Sequence, residues 1–340
     1  MYEIITEGKA KIHVPVDKKI SRKLPVFYNP LMKLNRDISV FLLNSIGKSD
    51  LHVGLPLAGT GVRGIRLLLE SEAVSEVVFN DHNTLARDII KKNLKKNKLE
   101  CQVINKDANM FLMESCGFDY IDIDPFGSPN PFLDIAVNRL SRRGILAVTA
   151  TDLAALCGSY ANVCRRKYWA EPVRDSEMHE TGLRILIRKV QLVGAQYDRA
   201  LVPVYSYYKN HYFRVFFQCT KSKTGVDAVI KKHGFYKGAG PLFLGALWDT
   251  KLAEKMSNAG ENIKLLNQIK YESKVDSVGF FDMHSVAKEL NASFVPQKQK
   301  IIDEIRKQGN HAFDTHFLDT GVKSNVSKEK FLKIFNQLLV

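Results

Sequence analysis

The stretch Asp122-Ile123-Asp124-Pro125-Phe126-Gly127 follows an apolar run, Phe118-Asp119-Tyr120-Ile121, so a buried strand stops abruptly in an acid, a proline, an aromatic ring and a glycine. Those residue types suit a planar amino group. The Asp124 carboxylate and the Pro125 carbonyl can each accept an N–H, and the Phe126 ring can stack on the base that carries the amine. Asp124 is then also the natural proton acceptor. Taken alone, the segment reads equally well as a strand followed by an ordinary turn, because Asp-Pro and glycine clusters punctuate chains of every kind. The surrounding pattern decides.

Upstream, Leu55-Pro56-Leu57-Ala58 leads into Gly59-Thr60-Gly61-Val62-Arg63-Gly64, and Ile65 to Glu70 reads as a helix. A GxGxxG pattern between strand and helix permits a tight turn and a close approach of backbone to ligand. Gly59 and Gly61 are the cofactor-facing candidates. Arg63 opens the helix, where anions are favoured, and Arg66 lies one turn later. The next apolar run ends in Asn80-Asp81, about twenty residues on, where an acid accepts ribose hydroxyls. Glycines with a spaced acid fit a dinucleotide or S-adenosylmethionine (SAM). The third run, Cys101 to Asn105, ends in Lys106-Asp107-Ala108. In SAM enzymes an acid there commonly meets the adenine amine, with the neighbouring backbone amide on the ring. Asp81, Asp107 and Asp124 then stand at the carboxyl ends of successive strands, where open parallel sheets bind ligands. Motifs of the Asp/Asn-Pro-Pro-Phe/Tyr kind serve enzymes that methylate exocyclic amines, and Asp124-Pro125-Phe126-Gly127 is a variant. Pro56 argues for a short or bulged first strand, since proline cannot donate to a central ladder.

These groups need a scaffold, and the alternation of strand and helix patterns over residues 51–150 predicts a parallel sheet with helices on both faces. After Thr151-Asp152 the pattern changes. The expected fold class is α/β: a class I SAM-dependent methyltransferase (Rossmann-like) domain over 1–220 with an N-terminal extension, and a smaller α+β C-terminal domain over 221–340. Residues 1–26 suggest a hairpin, residues 27–48 a helix, and the segments around 200–205 and 212–218 strands that extend the sheet. In the second region a helix–helix–short-β order resembles a winged helix, with His316-Phe317-Leu318 as a candidate strand. The 340 residues carry a formal net charge of +14. A surplus of that size points to RNA or DNA, and with no basic amphipathic anchor in view it favours nucleic acid over a membrane. No apolar run approaches the roughly 20 residues that span a bilayer, and the N-terminus lacks a secretory apolar core, so a cytoplasmic protein is expected. Five scattered cysteines without C-x-x-C pairing predict reduced thiols and no metal site.

Over nearly its whole length the sequence resembles the tRNA (guanine-26-N2)-dimethyltransferases, archaeal type. The resemblance rests on Val26-Phe27-Tyr28-Asn29-Pro30, Asn35-Arg36-Asp37, the glycine loop, Asn80-Asp81, Asp107-Ala108, Asp124-Pro125-Phe126-Gly127, His179-Glu180, Gly240-Pro241-Leu242, Leu247-Trp248, Thr315-His316-Phe317 and Gly321-Val322-Lys323. It implies SAM as cofactor, tRNA as partner, and methylation of the exocyclic N2 amine of guanine 26. It also implies that Phe27 stacks on the base face opposite Phe126 and that Arg36 meets the SAM carboxylate. Many relatives carry a cysteine-rich zinc module after the position of Cys219; Lys221 to Lys237 has no cysteine, so zinc is not carried across. For RNA, Cys164-Arg165-Arg166-Lys167-Tyr168-Trp169 interleaves cations with aromatics, which makes Arg165 and Arg166 the leading candidates, with Lys323 the C-terminal one. The stripe Lys91, Lys92, Lys95, Lys96 and Lys98 is a solvated helix face or a further RNA contact. The competing readings are an amino-methyltransferase for another RNA or DNA base, a non-catalytic RNA-binding protein on a vestigial nucleotide fold, and an NAD-dependent oxidoreductase. Asp107 and the Asp-Pro-Phe-Gly segment count against the last. Nothing in the sequence points to an obligate protein partner.

Overall fold

A computed structural model describes residues 2–16, 25–260 and 262–339. The chain divides into two compact units, Met1–Thr151 with Val190–Val202 and Arg214–Ile230, and Asp152–Lys189 with Pro203–Phe213 and Lys231–Val340. The change of pattern at Thr151-Asp152 is therefore a unit boundary. The expected single cut at 220 is not: the chain passes between the units repeatedly, and residues 152–189 belong with the C-terminal region.

In the first unit an antiparallel hairpin, β1 (Tyr2–Glu7) and β2 (Ala10–Pro15), realises the N-terminal expectation over part of its length. Residues 17–24 of that expectation lie outside the described residues. Helix α1 (Lys33–Ser45) precedes β3 (Leu51–Leu55), α2 (Val62–Glu70), β4 (Val74–Asn80), α3 (Thr84–Lys96), β5 (Val103–Ile104), α4 (Ala108–Glu114), β6 (Phe118–Ile123), α5 (Asn130–Arg139) and β7 (Leu140–Ala150). The short helices α6 (Leu153–Leu156) and α7 (Ala161–Tyr168), the long α8 (Met178–Ala195), strands β8 (Arg199–Lys209) and β9 (Tyr212–Lys221), and α9 (Lys223–Ile230) follow. The main sheet has the order β5-β4-β3-β6-β7-β9-β8, and β5 through β7 are parallel neighbours. The chain builds outward from β3 through β4 to β5, then restarts at β6 on the other side of β3. That reversal is a topological switch point, the crevice where such sheets receive ligands. β3 ends at Leu55, so Pro56 falls just past the ladder. The third strand is shorter than expected, two residues in place of Cys101 to Asn105.

Two side-chain amides fix the hairpin to α3. Asn97 accepts from the Lys11 amide at 2.9 Å and donates to the Lys11 carbonyl at 2.7 Å; one helical turn earlier, Asn93 accepts from the His13 amide at 2.7 Å and donates to its carbonyl at 3.3 Å. A helix therefore imitates the partner strand that β2 lacks on that edge.

In the second unit β10 (His233–Tyr236) pairs with β11 (Ala239–Phe243), followed by α10 (Thr250–Ala259). Then come α11 (Lys264–Glu272), β12 (Phe281–Asp282), α12 (Met283–Glu289), α13 (Lys298–Lys307), β13 (Ala312–Asp314), β14 (Gly321–Ser324) and α14 (Lys328–Gln337), with sheet order β12-β14-β13. From α11 to β14 this is the helix–strand–helix–helix–strand–strand order of a winged helix, as expected, around a core that includes Val286, Ile301, Ile305, Val322, Phe331 and Phe335. His316-Phe317-Leu318 is a turn, not a strand: His316 Nδ1 bonds Glu272 at 2.6 Å, and Nε2 accepts the Tyr208 amide at 3.2 Å, which draws the segment out of extended pairing.

Lys323 is corrected here. It is fully buried on β14, and its ammonium lies 2.8 and 2.9 Å from the two Glu180 oxygens. It holds the second unit together and cannot offer its charge to RNA. Arg184 Nε and the Gly279 amide also donate to Glu180, each at 2.9 Å. Burial alone would raise the Glu180 carboxyl, but the Lys323 and Arg184 charges outweigh it and hold it at about 2. Replacing Lys323 with alanine leaves that carboxylate short of a partner inside the protein, at an expected cost of about 3–5 kcal/mol in denaturant unfolding of the second unit. Because the folded value lies below the ordinary 4.5, the pair's contribution is present above pH 4.5 and disappears as pH falls toward 2. A variant as stable as wild type at neutral pH would refute this account.

Candidate active site

The glycine loop after β3 is shaped by its backbone. Gly61 caps α2 with φ +78, a left-handed conformation that side chains resist, and a Cβ on Gly64 would lie 2.3 Å from the Phe79 ring. Asp81 closes the loop from β4: Oδ2 accepts the Gly59 amide at 2.9 Å and Oδ1 the Asn83 amide at 3.0 Å. Asn80, fully buried, stitches the neighbouring strand ends together. Its Nδ2 donates to the Pro56 carbonyl at 2.9 Å and the Lys106 carbonyl at 3.0 Å, and its Oδ1 accepts the Lys106 amide at 3.0 Å. Asp107 caps α4 through Oδ1, at 2.9 Å from the Asn109 amide and 3.2 Å from that of Met110, and Ala108 is buried in the first turn. Asn80 carries a structural role that spacing did not disclose, although the Asn80-Asp81 pair was visible as a motif.

Across the switch point, β6 delivers Tyr120 and Asp122 at alternate positions, hence on one face, and Asp124 follows directly after the strand. The Asp124 carboxylate is partly exposed, and its Oδ2 takes Arg63 Nη2 at 2.5 Å. Arg63 Nη1 donates to Ser39 Oγ at 2.9 Å, and its Nε stands 3.5 Å from Asp122. The Asp-Pro-Phe-Gly turn is tied to the end of β7 by reciprocal bonds: the Gly127 amide to Thr151 Oγ1 at 2.7 Å, and the Thr151 amide to the Gly127 carbonyl at 2.9 Å. Phe126 is exposed, and its ring meets that of Phe27 edge to face, with centroids 4.4 Å apart and an interplanar angle of 80°. The structure thus brings together the two rings expected to sandwich a base, but in contact with each other.

Arg36 and Arg66 converge on Glu7 at the end of β1. Arg36 forks onto both Glu7 oxygens at 2.7 and 2.5 Å and donates to the Asn29 carbonyl; Arg66 reaches Glu7 at 3.0 Å, Asp37 at 2.7 Å and Glu70 at 2.8 Å. Tyr28 adds a hydroxyl to Glu7 at 2.9 Å. Burial would raise the Glu7 carboxyl, yet Arg36 leads the groups that bring it down to about 2. Both arginines are buried and matched with carboxylates. The Phe27 carbonyl abuts the glycine loop, 3.0 Å from where a Gly59 Cβ would be, so this clamp also seats Phe27 beside the loop.

Residues 8–238 and 236–336 match the family model of N2,N2-dimethylguanosine tRNA methyltransferases. The chain belongs to this family. It is 37% identical to the tRNA (guanine(26)-N(2))-dimethyltransferase of Methanocaldococcus jannaschii, with 98% of each chain covered. It is 35% identical to the tRNA (guanine(26)-N(2)/guanine(27)-N(2))-dimethyltransferase of Aquifex aeolicus, over 99% of this chain and 96% of that one. Among solved structures, Trm1 from Pyrococcus horikoshii in complex with S-adenosyl-L-methionine is 36% identical and superposes with a TM-score of 0.88 over 98% of this chain and 99% of the other.

The cofactor of this methyltransferase is SAM, and the donor set fits it. Carboxylates at Asp81 and Asp107 suit donor groups of a nucleoside, each with acceptor capacity left beyond its backbone bonds. Of the RNA candidates, Arg165 is exposed but forked onto Glu171 at 2.6 and 2.9 Å, whereas Arg166 is exposed. Trp169 is also exposed, and Lys189 Nζ lies 3.1 Å from its ring centroid. No helix among the described residues is long and apolar enough to cross a membrane.

Asp81→Ala removes the acceptor for the Gly59 and Asn83 amides and loosens the glycine loop. SAM binding measured by calorimetry is expected to weaken by about 1–3 kcal/mol, the usual cost of stranded partners. An unchanged dissociation constant would exclude Asp81 from the site.

Proposed function

We infer that this chain transfers methyl groups from SAM to the exocyclic N2 of guanine 26 in tRNA, giving N2-methyl- and N2,N2-dimethylguanosine, with Asp124 as the acceptor for the amine. The observation that carries the residue assignment is the Asp124 carboxylate at the switch point, partly exposed and held at 2.5 Å by Arg63 in the first turn of the helix that the glycine loop opens, two residues before Phe126, whose ring meets that of Phe27. SAM, when bound, supplies a methyl group made electrophilic by its sulfonium. The protein's part is to prepare the amine. Guanine N2 is a poor nucleophile because its lone pair is delocalised into the ring. Asp124 and the Pro125 carbonyl each accept one N–H, which orients the remaining density, and Asp124 takes the proton the amine releases. Fixing N2 at the reacting distance supplies much of the rate. Phe27 and Phe126 hold the base by stacking once their mutual contact opens, which requires a base extruded from its own stack.

The +14 charge supports RNA contacts beyond the base. Arg166 with Trp169 is one proposed contact. In the first unit, Lys9 and Lys11 on the hairpin and Lys91, Lys92, Lys95, Lys96 and Lys98 on and just beyond α3 are exposed, and the Asn97 clasp on Lys11 brings the two groups to one face. A cytoplasmic location without an obligate protein partner accords with this reading.

Asp124→Ala is expected to abolish methyl transfer to unmodified tRNA while SAM affinity stays near wild type; near-normal turnover would sink the assignment. Phe126→Leu keeps an apolar side chain but removes the stacking face, and should lower kcat/KM by the equivalent of about 1–3 kcal/mol. A wild-type value would exclude stacking at that position. Arg166→Glu should weaken tRNA binding and reduce the slope of log affinity against log salt by about 1, with SAM binding unmoved. A wild-type slope would move the RNA face elsewhere.

A further inference from the structure

Arg214 is fully buried on β9 and donates to Asp122 Oδ1 at 2.8 Å and Oδ2 at 2.6 Å, to Thr149 Oγ1 at 2.9 Å, and to Tyr120 OH and Ser39 Oγ at 3.1 Å each. Tyr120 OH donates to Asp122 Oδ2 at 2.6 Å. Asp122 is therefore saturated from one side, and Arg63 Nε is left at 3.5 Å, outside hydrogen-bond length, while Arg63 Nη2 is committed to Asp124 at 2.5 Å. One hydroxyl, Ser39 Oγ, accepts from both guanidinium groups and spaces them. Stability is a weak reason for such a cluster. Each buried charge costs several kcal/mol in lost hydration, and apolar replacements of buried ion pairs are often as stable or more so. Arg214 Nε is moreover buried without a hydrogen-bond partner among the described residues.

We propose that Arg214 is a positioning residue for methyl transfer: by saturating Asp122, Arg214 releases Arg63 to hold Asp124 Oδ2, so that Oδ1 faces the substrate amine. The proposal rests on the reading of Asp124 as the acceptor. Without Arg214, Asp122 becomes a buried carboxylate with one cation in reach. Arg63 is then drawn down onto it, and Asp124 loses the group that fixes its rotation. The carboxylates of Asp122 and Asp124 thus compete for one guanidinium, and Arg214 decides the competition in favour of the site.

Three full-length variants test this: Arg214→Met, the double variant Asp122→Asn with Arg214→Met, and Asp124→Asn. Turnover is normalised to the fraction of molecules that bind SAM by calorimetry, and melting temperature and tRNA affinity are measured alongside. Arg214→Met is expected to lose about tenfold to a hundredfold in normalised kcat, the cost of misplacing a reacting group by about 1 Å, with SAM and tRNA affinities near wild type. In the double variant the neutral amide that replaces the Asp122 carboxylate no longer competes for Arg63, and kcat should recover. A merely structural Arg214 would lower the melting temperature and the SAM-competent fraction but leave normalised kcat unchanged in Arg214→Met. That result overturns the proposal, as does a double variant as slow as the single one. Should Arg214→Met fail to fold, Arg214→Lys, which keeps the charge but cannot cover both Asp122 oxygens, must show the same loss of kcat; wild-type turnover there also overturns it. An active Asp124→Asn protein would instead remove the acceptor reading beneath the proposal, whatever the Arg214 variants do.

Discussion

A carboxylate buried from water, Asp122, stands two residues before Asp124 at the switch point, and much of the first unit is arranged to keep it charged. Burial would push Asp122 toward its neutral form, but Arg214 and Arg63 outweigh that and hold it below the ordinary carboxylate range. The consequence reaches four elements of secondary structure. β9 must lie close enough to supply Arg214, β7 contributes Thr149, α1 turns Ser39 inward, and α2 starts where Arg63 can bridge downward to Asp122 and upward to Asp124. The glycine loop that opens α2 thus has two duties. It leaves backbone open to close approach at the switch point, and it sets the start of the helix whose first turn carries the bridging guanidinium.

The Glu7 clamp applies the same physics one turn earlier on α1. One carboxylate holds two arginines and a tyrosine hydroxyl, and so ties the hairpin, the Phe27-Tyr28-Asn29 segment, α1 and α2 to one point. Arg66 is shared with Asp37 and Glu70, which gives the cluster three acids for two guanidinium groups. Such a cluster has little tolerance for loss of one member, because the remainder are left buried without their counter-charge.

The groups that were legible in the sequence are those whose meaning is local. Glycines at fixed offsets, an acid at the end of an apolar run, and a proline-aromatic turn after a strand each imply geometry within a few residues. Asp81 and Asp124 accordingly follow directly on β4 and β6, and Gly61 and Asp107 cap α2 and α4. The partners of buried charges were not legible. Asp122 and Arg214 are separated by 92 residues and Glu7 and Arg66 by 59, and no local pattern distinguishes an arginine headed for a buried acid from one headed for solvent. Lys323 was misread for that reason: a lysine in a glycine turn looks exposed until α8, 143 residues earlier, presents Glu180. Pairing in space also explains why the units are not consecutive stretches, since a strand pattern does not say which compact unit will take it.

On the stacking role proposed for them, the contact between Phe27 and Phe126 bears on selectivity. An edge-to-face aromatic pair contributes about 0.5–1.5 kcal/mol beyond its area burial, and a base must displace that contact before it can stack. A free nucleoside meets the closed pair at full disadvantage, its observed affinity scaled down by the fraction of molecules with parted rings. A guanine carried on a tRNA already held by its phosphates arrives at a high effective concentration, for which the same disadvantage is small. In that role two touching rings would set a threshold that favours a tethered base over a loose one, without themselves touching the rest of the RNA.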